Sequence, residues 1–453
     1  MTLRIHSRPA LPLQRGAALV LTVAAAVAPL RASALQSLQE FLRAARSFSP
    51  DAREGLANID AQRAQSELAL GRLAPNVALR GSYQRNEYAV SFPAPTAHLL
   101  DPNVAATQAL TLTPSNQLDL SFNLGVPLVN VAGMWALAVA RLGTEAATHQ
   151  LDATLLQVEA QAVQAWYQVV ADQALVSASG RALDVSRASR DVTHERVRLG
   201  RSPALEQDRA DAQVELQVQQ LAAAELLLAN AMEALQSTSG LKPETGSRPV
   251  QLQDNLQEEA PLETYEPGRD GTPAMAAASS ARATAQKQLD ATWLTLLPVL
   301  SGSFQEHDGN YPGFSGHDAS WTAGLTLQWG LDYTAYAALH AQKAQLAAAE
   351  AREDRVNIQV RQIIHDSWAA VHAAIARSRS ARVQEQATRH AEQLAQDRYE
   401  AGSSTQLDLL QAQRDAFGAE VTRIQADADL ANARAQLRLA AGRDLLSDSG
   451  EAP

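Results

Sequence analysis

The chain has 453 residues, no cysteine and a formal charge of −11, with 38 Lys and Arg against 49 Asp and Glu. That balance argues against a nucleic-acid partner, because phosphate binding rests on clustered Lys and Arg. Without cysteine there is no disulfide framework, no thiolate metal site and no lipidated N-terminal cysteine.

The first residues predict export. Arg4, Arg8 and Arg15 precede an apolar run from Ala17 to Ala28, and Ala32 to Ala34 offer small residues for cleavage. Basic, apolar and small-residue segments in that order make a secretory signal peptide over 1–34. The other reading is a membrane anchor, but the run holds 12 residues, against the roughly 20 of a spanning helix. Cleavage after Ala34 would remove four arginines and no acid, taking the charge from −11 to −15.

The remainder repeats itself. Leu228-Ala-Asn-Ala231 returns as Leu430-Ala-Asn-Ala433, an offset of 202 that also carries Val158 onto Val360, Trp166 onto Trp368, Gly200 onto Gly402, Leu205 onto Leu407 and Gly240 onto Gly442. Upstream, Pro50 and Pro75 map onto Pro273 and Pro298, and Gly81-Ser-Tyr-Gln84 onto Gly302-Ser-Phe-Gln305. A long loop between Gln84 and Gln117, against a short one between Gln305 and Ser320, accounts for most of the change in offset.

Two repeats are therefore expected, 35–240 and 273–442, joined by a Pro-, Glu- and Gly-rich linker over 241–272 and followed by a tail over 443–453. Each opens on a helix with a capping residue before proline, Ser49-Pro50 or Thr272-Pro273. Two strands follow, at about 77–85 and 117–125 in the first repeat and 299–306 and 320–329 in the second. A long helix comes next, about 131–199 or 334–401, then a glycine turn and a shorter helix, about 204–239 or 406–441. Leu151, Leu155, Val158, Ala162, Ala165 and Val169 step as a coiled-coil seam, and Val356, Val360, Ile363, Ser367, Ala370 and Ala374 predict the same for the second repeat.

The strands alternate. Leu118, Leu120, Phe122 and Leu124 interleave with Gln117, Asp119, Ser121 and Asn123, and Trp321, Ala323, Leu325 and Leu327 with Ser320, Thr322, Gly324 and Thr326. Such segments suit a transmembrane barrel or a sheet with one buried face. The membrane reading has a consequence. Four strands cannot close a barrel, and open edges in lipid leave peptide groups unsatisfied; three chains would give 12 strands.

Hairpin, long helix, Gly turn and shorter helix, all duplicated, resemble the outer-membrane efflux protein (TolC) family over nearly the whole mature chain. The most specific matches are Val197-Arg-Leu-Gly200 followed by Leu205-Glu206, and Tyr399-Glu-Ala-Gly402 followed by Leu407-Asp408-Leu-Leu410. The resemblance implies a mainly α chain whose homotrimer forms a 12-stranded barrel in outer-membrane lipid of a Gram-negative cell. Its helices would continue as a periplasmic tunnel, serving a periplasmic adaptor and an inner-membrane pump in efflux or type I secretion. It also implies that Asp408 rings the periplasmic aperture, with Gln411 where a second acid would stand. Tyr399 and Glu206 match the closure network, Ser404 stands where a latch arginine would be, and the turns at Gly200 and Gly402 would meet the adaptor.

No enzyme chemistry, cofactor or metal is expected. His365 and His372 are seven apart, and no His-Glu-x-x-His occurs. Gly81-Ser82 and Gly302-Ser303 lie in strands, away from the strand–turn–helix of a nucleophile elbow. Trp166 and Trp368 read as packing anchors or as ligand contacts. A periplasmic adaptor or a soluble coiled-coil scaffold is the competing class, disfavoured by the duplication and by the alternating strands.

Overall fold

The computed structural model describes residues 35–446, apart from 94–95, 97–98, 100–109, 245, 247–249, 251, 253, 269–270, 312–316 and 331–332. The expected signal peptide lies outside the described residues. A short helix α1 (Leu38–Phe48) leads into α2 (Pro50–Gly71), with Pro50 at the first helical position, where its missing N–H is not needed. Strands β1 (Asn76–Arg85), β2 (Val90–Phe92), β3 (Leu110–Thr113) and β4 (Asn116–Val129) follow. Then come α3 (Val131–Arg198) and α4 (Ala204–Ser239). The second repeat runs α5 (Pro273–Leu294), β5 (Val299–Gly309), β6 (Ala319–Gln328), α6 (Tyr333–Glu400) and α7 (Gln406–Ala440).

α3 and α6 each hold 68 residues, rods of about 100 Å. Two shorter helices, end to end, line each rod. In the first repeat α2 and α4 both pack along α3, and in the second α5 and α7 pack along α6. Their junctions are tight. A Cβ on Gly240, which ends α4 at φ +71, would fall 2.3 Å from the Phe48 ring just ahead of α2. A Cβ on Gly442, past α7 at φ +77, would fall 3.3 Å from Pro273 at the start of α5. α3 also packs on α5 and α7, so the lateral order is α2–α3–α5–α6 near the sheet and α4–α3–α7–α6 beyond the junctions.

The sheet is antiparallel, in the order β1–β4–β5–β6. Residues directly opposite share a face, and the register sets apolar against apolar: Leu79 faces Phe122, Leu124 faces Phe304, Phe304 faces Ala323, and Leu300 faces Leu327. Among the described residues, nothing covers that face. Leu79 is 69% exposed and Leu325 is 72% exposed, so the ordinary one-side-buried sheet is not what the chain builds. The other face carries Arg80, Asn123, Gln305 and Thr322, with His307 3.4 Å from Asp119. The loop between β1 and β4 contains an additional ribbon, β2 with β3.

The core sits at the junction level. Trp166 packs with Phe41, Val169, Val170, Ala231 and Leu235, and Trp368 lies against Tyr265, Val371, Leu430 and Leu437. Each indole N–H donates to a carbonyl of an incoming segment, Trp166 to Gln36 at 3.1 Å and Trp368 to Ala260 at 3.0 Å. Leu262 and Tyr265, on a single 3-10 turn of the linker, stand one constant offset from Leu38 and Phe41 of α1. The linker thus repeats the role of α1. Arg434 pins it by bonding Glu259 at 2.8 Å and the Gln257 carbonyl at 2.7 Å. Burial, then the hydrogen bond to Glu259, pushes the Tyr265 hydroxyl up to about 12.

The first-repeat seam lies inward as its spacing predicts, with Leu151, Val158, Ala162 and Val169 buried. The second-repeat seam holds in part: Ala374 is buried and Val360 packs against the core, whereas Ile363 is 54% exposed and Ile364, Val371, Ile375 and Ser378 are buried instead. Steps of three and four fit two adjacent stripes of an Ala-rich helix, and packing on α7 selects one of them.

Replacing Trp166 with Phe should remove one hydrogen bond from a buried carbonyl. The cost should be about 1–2 kcal/mol, read as a lower denaturant midpoint of the helical signal in detergent. Trp166→Ala should cost about 3–5 kcal/mol.

Candidate functional site at the paired helix turns

Both hairpins turn on a left-handed glycine, Gly200 at φ +67 and Gly402 at φ +74. The N–H three places past each helix end reaches back five residues, Arg201 to the Arg196 carbonyl and Ser403 to the Arg398 carbonyl, both at 2.8 Å. These are glycine-terminated Schellman ends, where a side chain would meet the steric penalty of positive φ. The turn type requires the two glycines whatever else touches them.

After each glycine, an acid takes the third position of the next helix: Glu206 in α4 and Asp408 in α7. The residue three places earlier decides what each does. Thr405 caps α7 with a complete capping box. Its hydroxyl accepts from the Asp408 N–H at 3.2 Å, and Asp408 Oδ2 accepts from the Thr405 N–H at 3.1 Å and its hydroxyl at 2.7 Å. The Thr405 hydroxyl and then its backbone N–H hold the Asp408 carboxyl below the usual 3.8. Pro203 holds the matching place before α4 and makes no side-chain cap. Glu206 is free to turn elsewhere, and its Oε2 accepts from the Tyr399 hydroxyl at 3.5 Å.

Tyr399 is the buried centre of the site, 3% exposed. The Thr193 hydroxyl lies 3.3 Å from the tyrosine hydroxyl. The Arg196 guanidinium sits 4.5 Å from the ring centroid and donates to the Tyr399 carbonyl at 2.8 Å. From the opposite direction, Gln406 Nε2 donates to the Glu206 carbonyl at 2.6 Å.

Of the residues expected from sequence, the structure joins Tyr399 and Glu206. Ser404 stands outside the cluster, its hydroxyl enclosed and without a hydrogen-bond partner among the described residues. Gln411 is exposed and bonds Asp415 at 2.8 Å. Asp408 is exposed and closes the cap of α7. Sequence reasoning passed over Thr193, Arg196 and Gln406. The Thr-x-x-Asp spacing of Thr405 and Asp408 was a readable signal of the cap. Nothing local marks the other three, which meet their partners about 200 positions away.

At the other end of the rods, where helices meet strands, aromatics collect. Trp135, Trp293, Trp329, Tyr333 and Tyr336 are exposed there, with Trp329 donating to the Leu296 carbonyl at 3.0 Å. Trp321 lies toward the opposite end of β6. The eight residue steps from Trp321 to Trp329 span about 26 Å along a strand. Among the described residues, no three His, Asp or Glu converge to hold a metal ion.

Residues 269–443 match the outer membrane efflux protein family. No curated protein matches. The fold resembles the Campylobacter jejuni CmeC outer membrane channel, at 16% identity and TM-score 0.73 over 90% of this chain and 86% of that one. It also resembles the open state of the Neisseria gonorrhoeae MtrE outer membrane channel, at 20% identity and TM-score 0.70 over 94% and 95%. The Vibrio cholerae outer membrane protein VceC matches at 16% identity and TM-score 0.71 over 90% and 96%.

Pro203→Thr should give Glu206 the cap that Asp408 already has. α4 should gain about 1 kcal/mol, and the Tyr399 hydroxyl should lose a partner, visible as faster amide hydrogen exchange around 399–402. The Asp408 cap has the opposite sensitivity to acid. Because the folded carboxyl titrates below 3.8, its contribution is complete above that value and is lost as pH falls through the lowered one. Exchange at Leu409 and Leu410 should therefore rise at low pH in the wild type and show no such step in Asp408→Asn. The second repeat thus matches the outer membrane efflux protein family, and the chain has the fold of the outer-membrane channels it resembles.

Proposed function

We propose that this chain is the outer-membrane channel of a tripartite efflux or type I secretion system, a passive duct across the outer membrane and periplasm. The observation that carries the reading is the four-stranded sheet. Among the described residues its apolar face is uncovered, and β1 and β6 each have one neighbour. In lipid those edges must pair, and only a closed barrel pairs them all. A homotrimer, joining β6 of one copy to β1 of the next, gives 12 strands with closed rotational symmetry. The exposed outer flanks of α6 on one side and of α2 and α4 on the other would meet in the same interface. Aromatics at both ends of the strands match the girdles that outer-membrane barrels carry at lipid headgroups.

The polar face of the sheet would line the lumen, and the helical hairpins would reach through the periplasm to an adaptor and an inner-membrane pump. In this reading the turns at Gly200 and Gly402 face the adaptor. Three copies of Asp408 ring the aperture, with Gln411 one turn further along α7. Such a ring favours cations in a narrow passage. Tyr399 and Glu206 would hold the aperture closed, while Ser404 lacks the charge to take part. A periplasmic adaptor or scaffold would have no use for an uncovered apolar sheet on duplicated hairpins.

In detergent the protein should run as a trimer by native mass measurement, and a membrane-inserted monomer would defeat the barrel. The loop between β1 and β4 should lie outside the cell, so a tag near Asn103, which is outside the described residues, should bind antibody on intact cells. In planar bilayers Asp408→Asn, which leaves an acceptor for the α7 cap, should lower cation over anion selectivity. Unchanged selectivity would mean that the carboxylates do not face the passage.

A further inference from the structure

We propose that the outer wall of the tube, just below the sheet, binds anionic phospholipid headgroups through a row of cations: Arg141 on α3, Lys287 on α5 and Lys343 on α6. The three stand at one level. Arg141 and Lys343 lie ten residues past the starts of α3 and α6, about 15 Å along each rod, and both rods start at the sheet. Lys287 lies seven residues, about 10 Å, before the end of α5, which also meets the sheet.

Helix periodicity sets the row on one side of the wall. Arg141 precedes Glu159 by 18 residues, about five full turns, and the Glu159 carboxylate bonds Arg46 of α1. Lys343 precedes Trp368 by 25 residues, close to seven turns, and Trp368 packs under the linker. Ala278 of α5 and Gln157 of α3 line a groove on the opposite side: Gln157 is about 200° around α3 from Glu159. Lys287 is about two and a half turns from Ala278, so it too lies on the side of α1 and the linker. This placement rests on the channel reading, in which α1 and the linker girdle the tube from outside, since a layer added inside would obstruct the duct.

Two of the chain's three lysines are in this row, and each stands against an exposed tryptophan. Lys287 Nζ lies 5.3 Å from the Trp135 ring centroid, and Lys343 Nζ lies 5.7 Å from that of Trp293. Indoles favour the headgroup level, with one end apolar and the other wet, so the paired ammonium groups are held where lipid phosphates lie. Arg141 and Lys343 also lean toward the sheet, because helical side chains tilt toward the N-terminus. Acids are set back. Asp290 approaches Lys287 at 3.7 Å, but Glu145 and Glu350 come about one and two turns further from the sheet than Arg141 and Lys343. Among the described residues those two cations have no ion-pair partner. In a chain of net charge −11 the row is a local reversal of sign, and three-fold symmetry would carry it around the tube as a collar.

The test uses the full-length trimer in detergent, offered phosphatidylglycerol or phosphatidylcholine with the same acyl chains, and counts bound lipid by native mass measurement. Wild type should retain phosphatidylglycerol in preference, and the preference should fade in high salt. The triple variant Arg141→Gln, Lys287→Gln, Lys343→Gln should lose it by about fivefold or more, the weight of even one basic residue at an anionic surface. Lys287→Arg with Lys343→Arg should keep it. So should Lys242→Gln with Arg361→Gln and Arg377→Gln, which removes the same charge near the junction level. Trimer yield and helical signal on the same samples separate lipid binding from misfolding. If the triple variant does not assemble, Lys343→Gln alone, at an exposed side chain, should show the fall. No preference in wild type, equal retention by wild type and the collar variant so tested, or an equal loss in the junction-level control would overturn the headgroup site and leave the channel intact. Wild-type trimers that neither insert into bilayers nor conduct would remove the channel reading, and the collar with it.

Discussion

Among the described residues, peptide groups on the outer edges of β1 and β6 have no partner strand, and most of the architecture answers to that fact. A four-stranded antiparallel sheet is stable in water when one face packs on a core. Among the described residues this one packs on nothing, and both its edge strands are long and regular. An exposed, flat, apolar edge is a template for further pairing. In the proposed trimer the pairing that satisfies it is with another copy, and the helices below would then form a continuous wall at the same radius. The lateral order of helices follows the order of strands: first-repeat elements occupy one flank and second-repeat elements the other.

The protomer itself is joined at mid-height. Phe41, Trp166 and Leu235 in one repeat, and Tyr265, Trp368 and Leu437 in the other, fill equivalent places at the junctions between stacked helices. Alanine elsewhere on the rods gives close helix contact but little buried area per residue, so these larger side chains carry much of the apolar stabilisation. The indole N–H groups do a second job. By bonding the Gln36 and Ala260 carbonyls, they fix segments that would otherwise arrive at a buried surface with unsatisfied backbone.

Much of this was legible in the sequence because it is written in short-range patterns. Alternation in the strands, glycine at helix ends and proline at helix starts are each local, and the duplication let one repeat check the other. The second-repeat seam was legible only in part: Val360 and Ala374 lie inward, but Ile363 and Ala370 belong to as regular a stripe as the one beside it, and only packing on α7 distinguishes them. The site was legible in part. Tyr399 and Glu206 stood out by resemblance, and the cap formed by Thr405 and Asp408 could have been read from spacing. Arg196 and Gln406 could not, since their acceptors are main-chain carbonyls, which leave no residue type to find.

The end-to-end stacking of α2 on α4 and of α5 on α7 has a mechanical meaning. A continuous helix carries load along its whole length through backbone hydrogen bonds, but an abutment of two helices transmits compression and resists bending poorly. Gly240 against Phe48 and Gly442 against Pro273 are such abutments, each splinted by an unbroken rod and placed at the level of the tryptophan cores. In a trimer, six of these splices would lie in a single plane around the tube. Flexure would concentrate there, leaving the segments on either side stiff, and the linker pinned by Arg434 would act as a hoop around the wall where it is most compliant.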